Sequence, residues 1–156
     1  MLRRAAYRTF YRLPGHWRRR LVRYFKPRFT VGSVVVVRDP DRERILLLRQ
    51  PPGPGWGLPA GLMDRGERPP ECAARELHEE TGIRVDPADL RPATPNAQVN
   101  KGWVDVIFEI ELPADTPLTV DGAEVLEAAF HRVDALPPLT PPTAKLLSQY
   151  GIGPLA

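Results

Sequence analysis

The spacing of hydrophobic residues changes from one segment of the chain to the next, and each spacing predicts a type of element. In residues 1–29 the apolar positions lie three and four residues apart, which predicts two short amphipathic helices separated at Pro14-Gly15. Two strand-like segments follow, with Asp39-Pro40-Asp41 between them. Phe29–Val37 is rich in β-branched and apolar residues, and Ile45–Leu48 is an apolar run. This arrangement predicts two core strands joined by a hairpin turn.

The clearest helix signal in the rest of the chain lies between Pro69-Pro70 and Gly82. Proline fits the first turn of a helix and glycine follows the last, so the pattern predicts a helix between them. Trp103–Leu112 alternates in polarity and predicts a long strand. Weaker signals predict an extended segment at Trp56–Pro59, a strand at Ile83–Val85, a loop over residues 86–102, a strand at Ala128–Val133 and a final helix that Thr140 caps.

These elements are typical of an α+β layered architecture, because the chain is rich in strands and has one central and one terminal helix. A length of 156 residues suits one domain with a core and is too short for two. We therefore expect a basic helical arm at residues 1–28 and a single domain at residues 29–156.

Charge is unevenly distributed between these two parts. Residues 1–29 hold ten Lys and Arg and no acid, whereas residues 30–156 hold 12 Lys and Arg against 19 Asp and Glu, a net charge of −7. We expect the arm to pack through its apolar stripe on the domain or across a homodimer. Contact with RNA or with an anionic membrane is the alternative.

Two features narrow the class of protein. No apolar run approaches the roughly 18 residues that a membrane-spanning helix needs. The one cysteine, Cys72, has no disulfide partner within the chain. We therefore expect a cytoplasmic protein.

Glutamates within the predicted helix suggest a site for a divalent cation. Glu76, Glu79 and Glu80 are related as i, i+3 and i+4, so they share one face. Arg75 lies four residues before Glu79, a spacing that predicts pairing of its guanidinium with this carboxylate. Acids near a helix C-terminus oppose the helix dipole, and a bound cation would remove that penalty. Oxygen ligands favour Mg²⁺ or Mn²⁺. The alternative is a solvated acidic face.

The stretch from Gly61 to Ile83 resembles the Nudix box. It has the box spacing of glycine, five residues, glutamate, seven residues and Arg-Glu-aliphatic-x-Glu-Glu-x-Gly-aliphatic. The matching positions are Gly61, Glu67, Arg75, Glu76, Leu77, Glu79, Glu80, Gly82 and Ile83.

The resemblance implies a Nudix α/β/α sandwich with a mixed sheet. It also implies Mg²⁺-dependent hydrolysis of a diphosphate linked to another group, with a small nucleotide as substrate. The residues expected at the metal are Glu67, Glu76, Glu79, Glu80 and Gly61. The residues expected to act in catalysis are Arg75, Glu79, Glu80, Glu124 and Glu127, of which the last two lie outside the box, where some family members carry a further acid.

The substrate is only partly constrained. Gln98 and Val99 do not match the signatures of the ADP-ribose and dinucleoside-polyphosphate branches, and the coenzyme A signature is incomplete. Nucleoside triphosphates, nucleoside diphosphate sugars or alcohols, and RNA 5′ ends remain. A regulatory module that binds nucleotides without cleaving them and a structural protein are the other classes of function.

Overall fold

The computed structural model describes residues 2–100 and 102–155. The chain divides into two compact units, one up to Thr30 and one from Val31 onward.

The first unit contains two short helices, α1 at Leu2–Arg12 and α2 at Gly15–Phe25. Pro14 lies between them in an extended conformation, so the predicted break at Pro14-Gly15 is confirmed. No side chain that the structure describes in this arm is buried. Within residues 2–100 and 102–155, every helix is too short or too polar to cross a membrane.

The second unit is built on one sheet. Its elements are β1 Thr30–Arg38, β2 Arg44–Arg49, β3 Trp56–Gly57, β4 Ala60–Leu62, α3 Pro69–Thr81, a 3-10 turn at Pro87–Asp89, β5 Arg91–Asn100, β6 Trp103–Glu111, β7 Glu127–Arg132 and α4 Pro141–Ser148. The sheet runs β3-β2-β1-β6-β5, β4 also pairs with β1, and β7 also pairs with β2.

The sheet is mixed, as predicted. The pairs β1–β2, β2–β7 and β5–β6 are antiparallel. The central neighbours β1 and β6 are parallel, because both their starts and their ends lie side by side. A Cβ on Gly32 would lie 3.1 Å from Asp105 Oδ1, and the Leu112 amide donates to the Arg38 carbonyl at 2.8 Å.

Both faces of the sheet are buried. Successive strand residues point to opposite sides, so the same strands contribute side chains to two cores. On one side Val35, Val37, Leu46, Phe108 and Ile110 pack with Ala73 and Leu77 of α3. On the other side Val34, Val36, Ile45, Leu47 and Ile107 pack with Leu146 and Leu147 of α4. The α/β/α sandwich is therefore confirmed.

Two sequence predictions after α3 are wrong. Residues 83–85 form no strand, because Gly82 turns the chain with φ 76° and Ile83 enters the α3-side core. Residues 86–102 are not one loop, because they contain β5. Pro92 and Pro95 suggested a loop, yet β5 is an edge strand with a register shift between Pro92 and Ala97, and prolines are tolerated at such places.

The predicted capping of the last helix is only half right. Thr140 is the residue before α4, but its side chain makes no capping hydrogen bond. Its hydroxyl donates to Thr143 Oγ1 at 2.9 Å instead.

Candidate active site

Helix α3 brings the box glutamates together. Ala73 and Leu77 are fully buried against the sheet, which fixes the rotation of the helix. Gly82 ends the helix as predicted, in a left-handed conformation with its amide bonded to the His78 carbonyl.

Arg75 lies at the centre of three carboxylates. Its Nε and Nη2 donate to Glu67 at 2.9 and 3.1 Å. Its Nη1 donates to Glu76 at 2.6 Å and to Glu79 at 2.9 Å. The contact with Glu79 was predicted from the helical spacing, and the contacts with Glu67 and Glu76 were not. Bidentate binding of this kind orients a carboxylate as well as attracting it.

These contacts set the charge state of the cluster. The hydrogen bonds that Arg75 donates to Glu67 lower the pKa of Glu67 and raise the pKa of Arg75. Glu67 is also held by the Asp64 amide, which donates to it at 2.8 Å. The guanidinium and Glu67 therefore stay ionised at neutral pH.

Glu80 occupies a separate, buried position on the same helix and is 7% exposed. Its Oε1 accepts a hydrogen bond from Gln50 Nε2 at 2.7 Å, and its Oε2 accepts one from the Ala60 amide at 2.9 Å. Burial, aided by the charges of Glu76 and Glu124, raises the pKa of Glu80 to about 7. Removal from water disfavours the ionised form, so this carboxylate gains from added positive charge.

Gly61 makes room for Glu76. Gly61 pairs with Ser33 of β1, and a Cβ built on it would overlap the carboxylate of Glu76. A residue without a side chain is therefore required at this approach. Burial raises the pKa of Glu76, because desolvation outweighs its ion pair with Arg75.

The two acids outside the box lie in different surroundings. Glu124 is exposed, and its charge contributes to the raised pKa of Glu80. The loop before it is fixed by Asp121, whose carboxylate accepts the amides of residues 123, 124 and 125. Glu127 lies on β7, where Arg49 donates to it twice at 3.1 Å.

Sequence reasoning missed two partners of Glu80. In the sequence Gln50 only precedes a proline-rich stretch, and no local pattern marks it as a contact of a residue 30 positions later. The Ala60 contact uses a backbone amide, which every residue except proline has. Only the placement of β2 and β4 beside α3 reveals either partner.

The donor set fits a divalent cation. The carboxylates that could bind such a cation offer only oxygen atoms, a donor type that suits Mg²⁺ or Mn²⁺ better than zinc. Glu80 is buried and Glu76 is half-buried, and removal from water raises the pKa of both carboxylates. In residues 2–100 and 102–155 no three His, Cys, Asp or Glu side chains are already arranged as a metal site, and Arg75 itself bonds three of the glutamates.

A cavity of about 300 Å³ lies next to Gln50, the hydrogen-bond partner of Glu80. Gln50 forms part of its wall, so the cavity adjoins Glu80 through one side chain. The rest of the wall is uncharged and includes Pro51, Pro52, Leu58, Thr140 and Thr143.

Curated relatives resemble parts of the chain. An octanoyltransferase from Myxococcus xanthus is 44% identical over an alignment of 118 residues, and the match covers 69% of this chain and 31% of that protein. An RNA pyrophosphohydrolase from Cereibacter sphaeroides is 38% identical over an alignment of 69 residues, and the match covers 42% of this chain and 40% of that protein. The chain thus spans less than half the length of either relative.

Structural comparison and the family profile identify the same family. The MutT Nudix hydrolase from Burkholderia pseudomallei superposes with a TM-score of 0.62 at 26% identity, over 80% of this chain and 98% of that one. The NUDIX domain profile matches residues 28–150, which is more than half of the chain. The chain therefore belongs to the Nudix hydrolase family.

Proposed function

We propose that this chain hydrolyses the diphosphate linkage of a nucleoside diphosphate derivative or a nucleoside triphosphate, in a reaction that depends on Mg²⁺ or Mn²⁺. The observation that carries the proposal is the set of three glutamates around Arg75 with the buried Glu80 on the same helix. A diphosphate repels nucleophiles, so a site that cleaves it needs a high density of cation-binding groups. This cluster supplies them.

Glu76, Glu79 and Glu80 would hold the divalent cation, with Glu67 and the Gly61 carbonyl assisting. When bound, such a cation neutralises phosphate oxygens and lowers the pKa of a water molecule. Arg75 orients Glu67, Glu76 and Glu79 and offsets part of their negative charge before substrate arrives.

The remaining residues of the site orient Glu80 or accept a proton from the attacking water. Gln50 and the Ala60 amide hold the Glu80 carboxylate in one orientation. Glu124 is the stronger candidate for general base, since Glu127 is already paired with Arg49. The water oxygen forms a bond to phosphorus, the bond from phosphorus to the bridging oxygen breaks, and the water proton passes to the base.

The non-phosphate part of the substrate would lie in the cavity beside Gln50. Its wall combines apolar proline and leucine surfaces with the hydroxyls of Thr140 and Thr143. Pockets of this composition bind neutral groups through shape and a few hydrogen bonds. A base, a sugar or an alcohol therefore suits the cavity better than a second charged group.

Two alternatives are tested by the same experiment. The similarity to an RNA pyrophosphohydrolase makes an RNA 5′ end a second candidate substrate. A regulatory module would bind nucleotides at this site without cleaving them.

The test is a panel of nucleoside triphosphates, nucleoside diphosphate sugars and alcohols, and 5′-triphosphorylated or capped RNA, each incubated with the full chain and Mg²⁺ in ¹⁸O-labelled water. Mass analysis of the products identifies both the bond cleaved and the phosphorus attacked. We expect turnover of one small nucleotide class with ¹⁸O in a phosphate product. Binding of a nucleotide without turnover of any compound would instead establish the regulatory module.

We also propose that residues 29–156 form the catalytic domain and that the protein works in the cytoplasm. Most of the family profile match lies in this range. Nucleotide substrates are abundant in the cytoplasm, and its reducing conditions suit the free thiol of Cys72.

A further inference from the structure

The two helices of the arm enclose an apolar groove. Its volume is about 460 Å³, and its lining residues are Tyr7, Phe10, Leu21, Val22, Phe25 and Lys26. Val22 is 47% exposed and Phe25 76% exposed, so the walls meet solvent. Apolar side chains that cluster on an exposed surface in this way mark a site of contact with a protein or a membrane.

Basic side chains lie on the other faces of the same helices. Arg4, Arg8 and Arg12 follow one another at four-residue intervals along α1, and all three are exposed. On α2, Arg19 and Arg23 are likewise four residues apart and exposed. Residues 1–29 contain no acid that could neutralise these charges.

Aromatic rings connect the two kinds of surface. The Arg18 guanidinium lies 5.7 Å from the centre of the Tyr11 ring, and that of Arg20 lies 6.0 Å from the Trp17 ring. Trp17 is 51% exposed and Tyr11 63% exposed. Tryptophan and tyrosine favour the boundary between lipid and water, because one part of each ring system is apolar and another is polar.

We propose that residues 2–28 dock the protein on an anionic lipid bilayer. Helices with a basic face, an apolar face and aromatic residues bind in the plane of the lipid headgroups, and the arginines meet lipid phosphates while the groove residues enter the acyl region. Each helix has 11 residues and lies along the surface without spanning it.

Other occupants fit less well. RNA would satisfy the arginines and could stack on the aromatic rings, but it offers nothing to the aliphatic Leu21 and Val22. A second arm would bring ten more positive charges and no negative ones next to the first. An anionic bilayer offers both kinds of contact, namely phosphates for the arginines and acyl chains for the groove residues.

The test is flotation of the full-length protein with phosphatidylcholine vesicles that contain either no phosphatidylglycerol or about 30% of it. We expect binding to the anionic vesicles alone, and its loss at about 1 M salt, where charges are screened within a few ångströms. Equal binding to neutral vesicles, or binding to neither, would overturn the proposal.

Two variants separate the charged and apolar contributions. The charge variant, Arg4→Gln/Arg8→Gln/Arg12→Gln, should bind about a hundredfold more weakly, from roughly fivefold for each cation. The apolar variant, Leu21→Ser/Phe25→Ser, should bind about tenfold more weakly, because it loses buried apolar area. The control, Arg84→Gln/Lys145→Gln, removes exposed cations outside the arm and should bind like wild type.

Circular dichroism checks that each variant is folded, and light scattering reports its size. Binding of the same variants to RNA is measured in parallel. If the apolar variant binds vesicles as wild type does and the charge variant loses RNA binding, the arm is a polyanion site instead. Failure of the wild type to bind vesicles, with a change of oligomeric state in the apolar variant, would show an interface between copies of the chain.

Discussion

The side-chain amide of Gln50 donates a hydrogen bond to the buried carboxylate of Glu80 across 2.7 Å. Gln50 directly follows β2, and Glu80 lies in the last turn of α3. The sheet therefore controls the orientation of a box glutamate. Partners of this kind affect a metal ligand without touching the metal.

The first prediction concerns Gln50→Met, which keeps the side-chain length and removes the donor. We expect the Mg²⁺ concentration at half-maximal rate to rise about 10–100-fold, with most of kcat recovered at high Mg²⁺. The measurement is a Mg²⁺ titration of the initial rate. Gln149→Met is the control, because Gln149 is exposed at the end of α4. An unchanged Mg²⁺ titration for Gln50→Met would show that Gln50 does not position Glu80.

The second prediction concerns Gly61→Ala. The added methyl group overlaps the Glu76 carboxylate, so this side chain must move away from its place beside Arg75. We expect kcat to fall by about tenfold or more, since small misplacements of catalytic groups are costly. Gly15→Ala is the matched control, because its new Cβ meets only the ends of two arginine side chains at 3.8 and 3.9 Å. Equal activity of Gly61→Ala and wild type would show that Glu76 does not act in the active site.

The third prediction concerns His131 and stability. Its ring lies 4.4 Å from that of Trp56 with an interplanar angle of 74°, its Nε2 is buried without a hydrogen bond, and burial lowers its pKa below 6.5. The unfolded state therefore binds more protons, so this contribution to stability is complete above pH 6.5 and is lost as the pH falls through the lowered pKa.

His131→Phe keeps an aromatic ring and removes the titration. Urea unfolding between about pH 7 and pH 5 should show a shallower loss of unfolding free energy for the variant than for wild type. Identical slopes for the two proteins would show that His131 titrates normally.

The helix at the site could be read from the sequence because its signals are local. Pro69 and Gly82 mark its ends, and the positions of Glu76, Glu79 and Glu80 follow from helical periodicity. The contact of Arg75 with Glu79 is local for the same reason.

The missed features depend on the sheet. Arg49 meets Glu127 because β2 pairs with β7, and the register of that pairing cannot be read from either segment alone. The strand β5 was missed because Pro92 and Pro95 lower strand propensity, while its place at the edge of the sheet removes much of that penalty.

The fourth prediction concerns metal and stability. A ligand that binds only the folded state stabilises it by about 2.7 kcal/mol at 100 times its Kd, which corresponds to a rise in Tm of roughly 5–10 °C for a chain of this size. Thermal melts of the full chain with MgCl₂, compared with NaCl at equal ionic strength, measure this effect. Melts that coincide in the two salts would count against metal binding by the folded protein.

The most direct test of the proposed function is kcat of Glu80→Gln at saturating Mg²⁺ on the best substrate. The substitution removes the charge of a proposed ligand with little change in volume, so we expect a loss of about a hundredfold or more. Stability without metal should stay within about 2 kcal/mol of wild type, because at most one of the two hydrogen bonds that the carboxylate accepts is lost. A folded variant that keeps more than about half of wild-type kcat would contradict the assignment of Glu80 to the metal site, since loss of a ligand cannot leave the rate nearly unchanged.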